Sequence, residues 1–206
     1  MTTVAQKSLA AIYDPFVWLG ERRGMRRHRS DLLSGARGRV LEIGAGTGLN
    51  VPHYPNAVQE MILTEPVPGM FERLQRRAGQ DARATLMPAV ASSLPVESAS
   101  VDTVVSTFVL CTVPDVDAVL TEVRRVLKPG GRFLFCEHVR ADDARSAARQ
   151  DRWADAWAAF AQQCRCNRDT MEALQSHFQL TRVERRHWLG MPSLVKPVIV
   201  GEAVVS

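Results

Sequence analysis

Apolar and polar positions follow two rhythms along this chain. Short, nearly continuous apolar runs at Arg39–Ile43 (RVLEI), Met61–Glu65 (MILTE), Val101–Ser106 (VDTVVS) and Arg132–Glu137 (RFLFCE) predict strands. Gly44 closes the first, Pro66 the second, and the breaker Lys128–Gly131 (KPGG) precedes the fourth. Between them the apolar residues fall at helical spacing. Met70, Leu74 and Ala78 share one stripe, and Val116, Val119, Leu120, Val123 and Leu127 share another that stops at Pro129-Gly130. Strands that are apolar throughout belong in a parallel sheet covered on both faces. The last two runs, Phe178–Arg185 and Val195–Val204, have no helix long enough between them for a parallel crossover, so they predict an antiparallel hairpin at one edge.

Composition narrows this picture. A chain of 206 residues and 22.8 kDa, 46% hydrophobic and 23% charged, fits one globular domain and excludes disorder, collagen and coiled coil. The net charge of +4 is localised: residues 1–38 carry seven Lys and Arg against three acids, and the remainder balances at nineteen against nineteen. Cys111, Cys136, Cys164 and Cys166 show no framework spacing, which predicts free thiols in a reducing compartment. The start MTTVAQKSLAAIYDPF has neither the charged n-region and apolar h-region of a signal peptide nor an apolar run of spanning length, so the expected location is cytoplasmic.

The candidate chemistry begins at Val40–Gly48 (VLEIGAGTG), an apolar strand running into three glycines spaced by two. Such glycines let backbone N–H groups approach a ligand at the C-terminal end of a strand. The next strand ends in Glu65, 21 residues after Gly44, where a carboxylate can accept both hydroxyls of a ribose. An adenosine cofactor is indicated. A dinucleotide site would need G-x-G-x-x-G and a helix N-terminus for a pyrophosphate. Here Glu42 stands two residues before the first glycine, and its charge suits the ammonium of S-adenosylmethionine better than a phosphate.

From Val40 onward the chain resembles the class I S-adenosylmethionine-dependent methyltransferases. LEIGAGTG is similar to their cofactor loop, MILTEPVPGM to the second-strand acid segment, SLPVESASVDTVVS to the approach to the fourth strand, and EVRRVLKPGGRFLF to the helix and turn before the fifth. More narrowly, GTGLNVPHYP, FVLCTVPD, LFCEHV, CNRDTMEAL and LVKPVIVGEAV resemble the membrane-associated alkyl-thiol S-methyltransferases. Those proteins begin with a hydrophobic anchor, and none is expected here. IYDPFVWLG is similar to a stretch of bacterial phosphatidylethanolamine N-methyltransferases. The resemblance implies a Rossmann-like α/β fold, with a mostly parallel seven-stranded sheet and an antiparallel C-terminal hairpin. Residues 39–206 are expected to form the methyltransferase domain and residues 1–38 a helical lid segment.

The resemblance also places site residues. Gly44, Ala45, Gly46 and Gly48 surround the cofactor with Glu42, Glu65 and Pro66, and Tyr13 reaches its carboxylate from the lid. Many family members hold adenine with an Asp where this chain has Val90, so the Ala91 backbone and the Ser92 hydroxyl are expected to take over. Phe108 and Cys111 wall the methyl channel. His138, at the end of the fifth strand, is the candidate base for a thiol acceptor, against a purely local structural role. Arg168 is either a contact for an anionic substrate group or a solvated charge. Cys164-x-Cys166 lacks the ligand spacing of a structural zinc site, so no metal is expected. The aromatic stretch to Leu19 and the cluster Arg22, Arg23, Arg26, Arg27 and Arg29 fit a lid with a solvated basic face, or a peripheral contact with an anionic membrane. Nucleic acid is not expected as a partner. The expected reaction is methyl transfer from S-adenosylmethionine, leaving S-adenosylhomocysteine, to a small lipophilic acceptor, a thiol sulfur favoured. The alternatives are a phospholipid (phosphatidylethanolamine) or other small amine, and a cofactor-binding module without catalysis.

Overall fold

A computed structural model describes residues 13–205. Residues 1–12, the first part of the expected lid segment, lie outside the described residues. The described chain starts in a helix, α1 (residues 13–20), and passes through a wide turn at Glu21–Met25 into α2 (Arg26–Leu33). The strands follow as β1 (Gly38–Ile43), β2 (Val58–Thr64), β3 (Ala84–Met87), β4 (Val101–Thr107), β5 (Leu127–His138), β6 (Gln179–His187) and β7 (Pro197–Val204). The remaining helices are α3 (Pro68–Ala78), α4 (Val116–Val126), α5 (Ala144–Phe160) and α6 (Thr170–His177).

One seven-stranded sheet has the order β3-β2-β1-β4-β5-β7-β6. Adjacent strands from β3 to β5 run parallel; β7 is antiparallel to both β5 and β6. The expected Rossmann-like architecture and terminal hairpin are therefore present, with β7 inserted between β5 and β6. The strands read as continuous apolar runs because both faces are covered. Val40, Met61, Leu63, Val105 and Leu134 pack with Leu33 of α2 and Leu74 of α3 on one side. Leu41, Ile62, Val104, Phe133 and Phe135 pack with Leu120 of α4 and Leu174 of α6 on the other. Connections reverse direction between β1 and β4, which opens a crevice at the C-terminal ends of the strands.

Three elements lacked a clear apolar signal. β3 is only four residues long and half-exposed, and the pattern around it is mostly polar. α5 and α6 bury narrow stripes, Ala147, Gln150, Ala154 and Ala158 in one and Thr170 and Leu174 in the other. Their starts are set by side-chain caps: Asp143 accepts from Ser146 N at 2.8 Å and Asp169 from Glu172 N at 3.2 Å.

The basic N-terminal face is solvated except at one position. Arg22, Arg23, Arg26 and Arg27 are exposed, but Arg29 is buried. Its guanidinium pairs with Glu21 at 3.0 Å and donates to Asn50 Oδ1 at 2.9 Å and Thr107 Oγ1 at 3.4 Å. Asn50 in turn donates to Glu42 Oε1 at 2.8 Å, and Tyr54 O–H donates to Glu42 Oε2 at 2.6 Å. This chain of polar contacts fastens the N-terminal helices to the first loop. A second fastening is Asp14, which accepts from Thr47 Oγ1 at 2.6 Å and pairs with Arg77 at 2.9 Å.

Removing the buried cation should be costly, because Glu21, Asn50 and Thr107 lose it together. Arg29→Ala is expected to destabilise the fold by about 3–5 kcal/mol, read as a lower urea midpoint, whereas exposed Arg27→Ala should change it by less than about 1 kcal/mol. Equal effects would show that the buried pair does not fasten the N-terminal helices. A second expectation concerns pH. Burial pushes the Glu42 carboxyl up to about 7, against the hydrogen bonds from Tyr54 and Asn50 that pull it down. The folded state therefore keeps a proton that the unfolded chain releases near 4.5, and stability falls as pH rises through that window. Glu42→Gln cannot ionise and should gain roughly 3 kcal/mol on the unmodified protein by pH 8, with no gain at pH 4. Parallel stability profiles from pH 4 to 8 would contradict this assignment.

Candidate active site

The C-terminal strand ends enclose a cavity of about 960 Å³. Its first wall is the loop after β1. Gly46 sits at φ +59°, and a side chain added there would meet no atom within 4 Å, so the backbone faces open space. Gly44, at φ +57°, is needed for another reason: a Cβ there would lie 2.7 Å from Val109 of the loop after β4. The two loops are packed that closely. Glu65, at the end of β2, is buried and accepts from Gly46 N at 2.9 Å and Val67 N at 2.7 Å. Burial raises its carboxyl above the ordinary range, and those two N–H groups oppose the shift. Each oxygen keeps a lone pair for a further donor.

The opposite wall depends on Glu137, fully buried near the end of β5. Its carboxylate accepts from Ser106 Oγ at 2.5 Å, Val109 N at 3.1 Å and Leu110 N at 3.1 Å. Burial pushes the carboxyl up to about 7 in spite of these donors. The staple forces the chain to turn sharply after β4, and Phe108 takes up φ +60°, a left-handed conformation uncommon for a bulky residue. Phe108 N–H is satisfied by Cys136 O at 2.9 Å. The Phe108 ring stacks on Trp188 at 4.4 Å and lies 4.6 Å from the His138 ring, with the Arg29 guanidinium 5.6 Å from its centre.

Beyond these rings lies a corner of sulfur and nitrogen. Cys111 Sγ is 3.3 Å from His138 Nδ1, Cys164 Sγ is 3.5 Å from the same nitrogen, and the two sulfurs are 3.5 Å apart. All three residues are buried and all three line the cavity. The hydrogen bond to Cys111 and the neighbouring imidazole hold the Cys164 thiol well below the usual range, while Cys111 is pushed up by its bond to Cys164 and by burial. His138 Nε2 is buried without a hydrogen-bond partner. Three backbone clips fix the corner: Arg165 N donates to Cys111 O at 2.7 Å, Arg168 Nη1 to Leu110 O at 2.6 Å, and Thr170 Oγ1 to His138 O at 2.9 Å. Cys164 is delivered by two successive left-handed residues, Gln162 at φ +51° and Gln163 at φ +64°.

The cavity gathers most of the residues singled out from sequence: Tyr13, Gly44, Gly46, Glu65, Pro66, Ala91, Ser92, Phe108, Cys111 and His138 all line it. Burial pushes the Tyr13 phenol up to about 12, so it enters the cavity as a neutral donor. Four others are directed elsewhere. Both Glu42 oxygens are engaged by Asn50 and Tyr54 under the loop, Ala45 N–H donates to Thr64 O at 2.7 Å, and a side chain at Gly48 would approach Leu74. Arg168, expected as a substrate contact or a solvated charge, instead holds the Leu110 carbonyl. Sequence reasoning missed the walls supplied by Trp157, Trp188 and Met191, and it missed the meeting of Cys164 with Cys111 and His138. The last was partly legible, since Cys111 and His138 follow adjacent parallel strands. Cys164 comes from the loop after α5, and nothing in its local sequence points inward.

Comparison with known proteins agrees with this geometry. Residues 41–135 match the family described as Methyltransferase domain. The chain is 32% identical to human thiol S-methyltransferase TMT1A over 172 residues, spanning 80% of this chain and 70% of the relative. It is 35% identical to human thiol S-methyltransferase TMT1B over 194 residues, spanning 84% and 73%. The fold matches that of the N-methyltransferase NodS from Bradyrhizobium japonicum, solved with S-adenosyl-L-homocysteine, at TM-score 0.72 and 16% identity, over 98% of this chain and 96% of the other. With the strand order, the glycine loop and the second-strand acid already in place, these matches show that the chain belongs to the class I S-adenosylmethionine-dependent methyltransferases and is an enzyme of that family.

Proposed function

We propose that this enzyme methylates the sulfur of a small lipophilic thiol. The observation that carries the reading is the corner where Cys111, Cys164 and His138 meet at an otherwise largely apolar cavity wall. The cofactor fits the opposite side. Gly46 leaves open space for an approaching ligand, Glu65 offers two carboxylate oxygens for ribose hydroxyls, and Ala91 and Ser92 stand where adenine would be gripped. Gly44 and Pro66 flank that surface, and Tyr13 presents a neutral hydroxyl to the cofactor's carboxylate. Ala45 and Gly48 shape the loop, and Glu42 braces it from beneath through Asn50 and Tyr54. Bound S-adenosylmethionine supplies a methyl carbon on a cationic sulfur; the bond to the acceptor forms as the old one breaks, its electron pair staying on the departing thioether. The protein aligns the acceptor and excludes water, with Phe108, Trp188 and Trp157 as walls. His138 is the candidate that stabilises the acceptor's sulfur as a thiolate, together with the two cysteines beside it.

The lining argues against the alternatives. Among the described residues that line the cavity there is no Lys or Arg to meet a phospholipid phosphate. The carboxylates there are Glu65, opposite the corner, and Asp115, which caps α4 by accepting from Ala118 N at 3.0 Å. Neither would hold an ammonium beside His138.

No helix among the described residues is long and apolar enough to cross a membrane. Half-exposed Phe16 and Phe160 touch at the cavity rim, 5.9 Å between ring centres, and Arg22 lies 4.9 Å over the exposed Trp18. Arg22, Arg26 and Arg27 share a separate groove with Trp18, and this basic, aromatic N-terminal surface suits an anionic lipid surface from which a lipophilic acceptor could enter.

Three measurements test these readings. Given equal concentrations of a long-chain alkyl thiol, the matching amine and a phenol, the enzyme should methylate the thiol at least about tenfold faster in kcat/KM, a difference of about 1.4 kcal/mol; a preference for the amine would overturn the thiol reading. Calorimetry should find S-adenosylmethionine bound about 10- to 100-fold more weakly by Glu65→Ala, as expected for losing hydrogen bonds to a charged group; unchanged affinity would remove Glu65 from the ribose site. Sedimentation with anionic vesicles at low salt should carry the enzyme down, and replacing Arg22, Arg23, Arg26 and Arg27 with Gln should release it. Failure of the unmodified enzyme to sediment would sink the lipid contact.

A further inference from the structure

The corner of Cys111, Cys164 and His138 has the makings of more than a polar patch. Its three ligand-capable atoms come from separate parts of the chain: the turn after β4, the end of β5 and the strained turn after α5. Backbone clips hold Cys111, Cys164 and His138 from behind, and Cys111 Sγ also reaches Phe108 O at 3.6 Å; among the described residues no carboxylate bonds to any of the three. Hydrogen bonds join the two buried thiols and the imidazole nitrogen at 3.3, 3.5 and 3.5 Å, and a bound cation would be a stronger agent for the same arrangement.

Tetrahedral zinc would supply one. With Zn–S near 2.3 Å and Zn–N near 2.0–2.1 Å, tetrahedral angles put two thiolate sulfurs about 3.8 Å apart and a sulfur and a nitrogen about 3.6 Å apart. The observed separations fall within a few tenths of an ångström of both. Two cysteines and one histidine form a set used in catalytic zinc sites, where a fourth position stays open for water or substrate. Here all three residues line the cavity, the side from which a fourth ligand would come. The spacing Cys164-x-Cys166 gave no reason to expect a metal, and the three clustered residues are Cys111, Cys164 and His138. The fold assembles the ligands instead.

We propose that Cys111, Cys164 and His138 Nδ1 bind one zinc ion whose fourth position takes the acceptor's sulfur. This rests on the thiol reading above and states how the thiol is activated. The acceptor's S–H bond breaks, its proton leaves to solvent, and a sulfur lone pair forms the bond to zinc. The coordinated thiolate is then available to the methyl group, and the methyl thioether produced is neutral and a weaker ligand, so it departs.

The test uses the full chain purified under reducing conditions. Elemental analysis should find close to one zinc per chain, or one taken up from added zinc after chelation. Cys111→Ser and Cys164→Ser should lose it, and Cys136→Ser, altering a buried cysteine outside the group, should keep it. Cobalt loaded into the unmodified protein should show sulfur-to-cobalt charge transfer and the intense visible bands of a tetrahedral site, a readout independent of any variant's folding. Absence of those bands in folded protein overturns the proposal. Adding the alkyl thiol should shift the bands, and adding the matching amine should not; bands that ignore the thiol overturn the open fourth position. Chelation should lower thiol methylation at pH 7 by roughly 30-fold, the factor separating full ionisation from the thiolate fraction of a thiol with pKa near 8.5. If metal-free enzyme methylates the thiol at the full rate, the zinc proposal fails while the thiol reading stands. If zinc binds but only the amine is methylated, the acceptor reading fails.

Discussion

Glu137 is the constraint on which the site depends. A carboxylate buried at the end of a central strand is costly unless it is hydrogen-bonded, and here it is satisfied by drawing Ser106, Val109 and Leu110 onto itself. Those bonds fold the chain back at the end of β4. The fold-back holds Phe108 in its left-handed conformation, seats Val109 against Gly44, and turns Cys111 towards His138. One residue joins the cofactor loop, the aromatic wall and the sulfur corner.

A second buried network does the same for the N-terminal helices. Glu21, Arg29, Asn50, Glu42, Tyr54 and Thr107 satisfy one another in an unbroken series from the N-terminal helices to the loop after β1. Buried ion pairs such as Glu21–Arg29 add little net stability, but removing one partner is costly. They therefore fix how the N-terminal helices sit over the cavity. Strain at Phe108, Gln162 and Gln163 falls on the two turns that deliver Phe108, Cys111 and Cys164, as expected where a fold holds a functional group in place.

The parts of this structure legible in the sequence are those with short-range causes. Doubly covered parallel strands write themselves as apolar runs, and the glycine loop with Glu65 carries its chemistry in spacing alone. β3 was too short and too exposed to leave a pattern, and α5 hides its inner face behind alanines and Gln150. The site was half legible. Residues at strand ends converge because the sheet is parallel, which brings Cys111 and His138 together. Arg29 looked like its exposed neighbours because burial is a tertiary property, and Cys164 was weighed only with Cys166, and set aside on spacing, because proximity in sequence was the only proximity available. Glu42 accepts from Asn50 and Tyr54, eight and twelve residues on, contacts that no local pattern announces.

The thiol reading depends on where the acceptor's sulfur sits. A crystal structure with S-adenosylhomocysteine and an unreactive long-chain thiol analogue would show it directly. The account places the analogue's sulfur beside Cys111, Cys164 and His138, its chain running past Phe108 and Trp188 towards Phe16 and Phe160. An analogue bound with its sulfur away from that corner, or a cofactor product that does not contact Glu65 and Gly46, would contradict it.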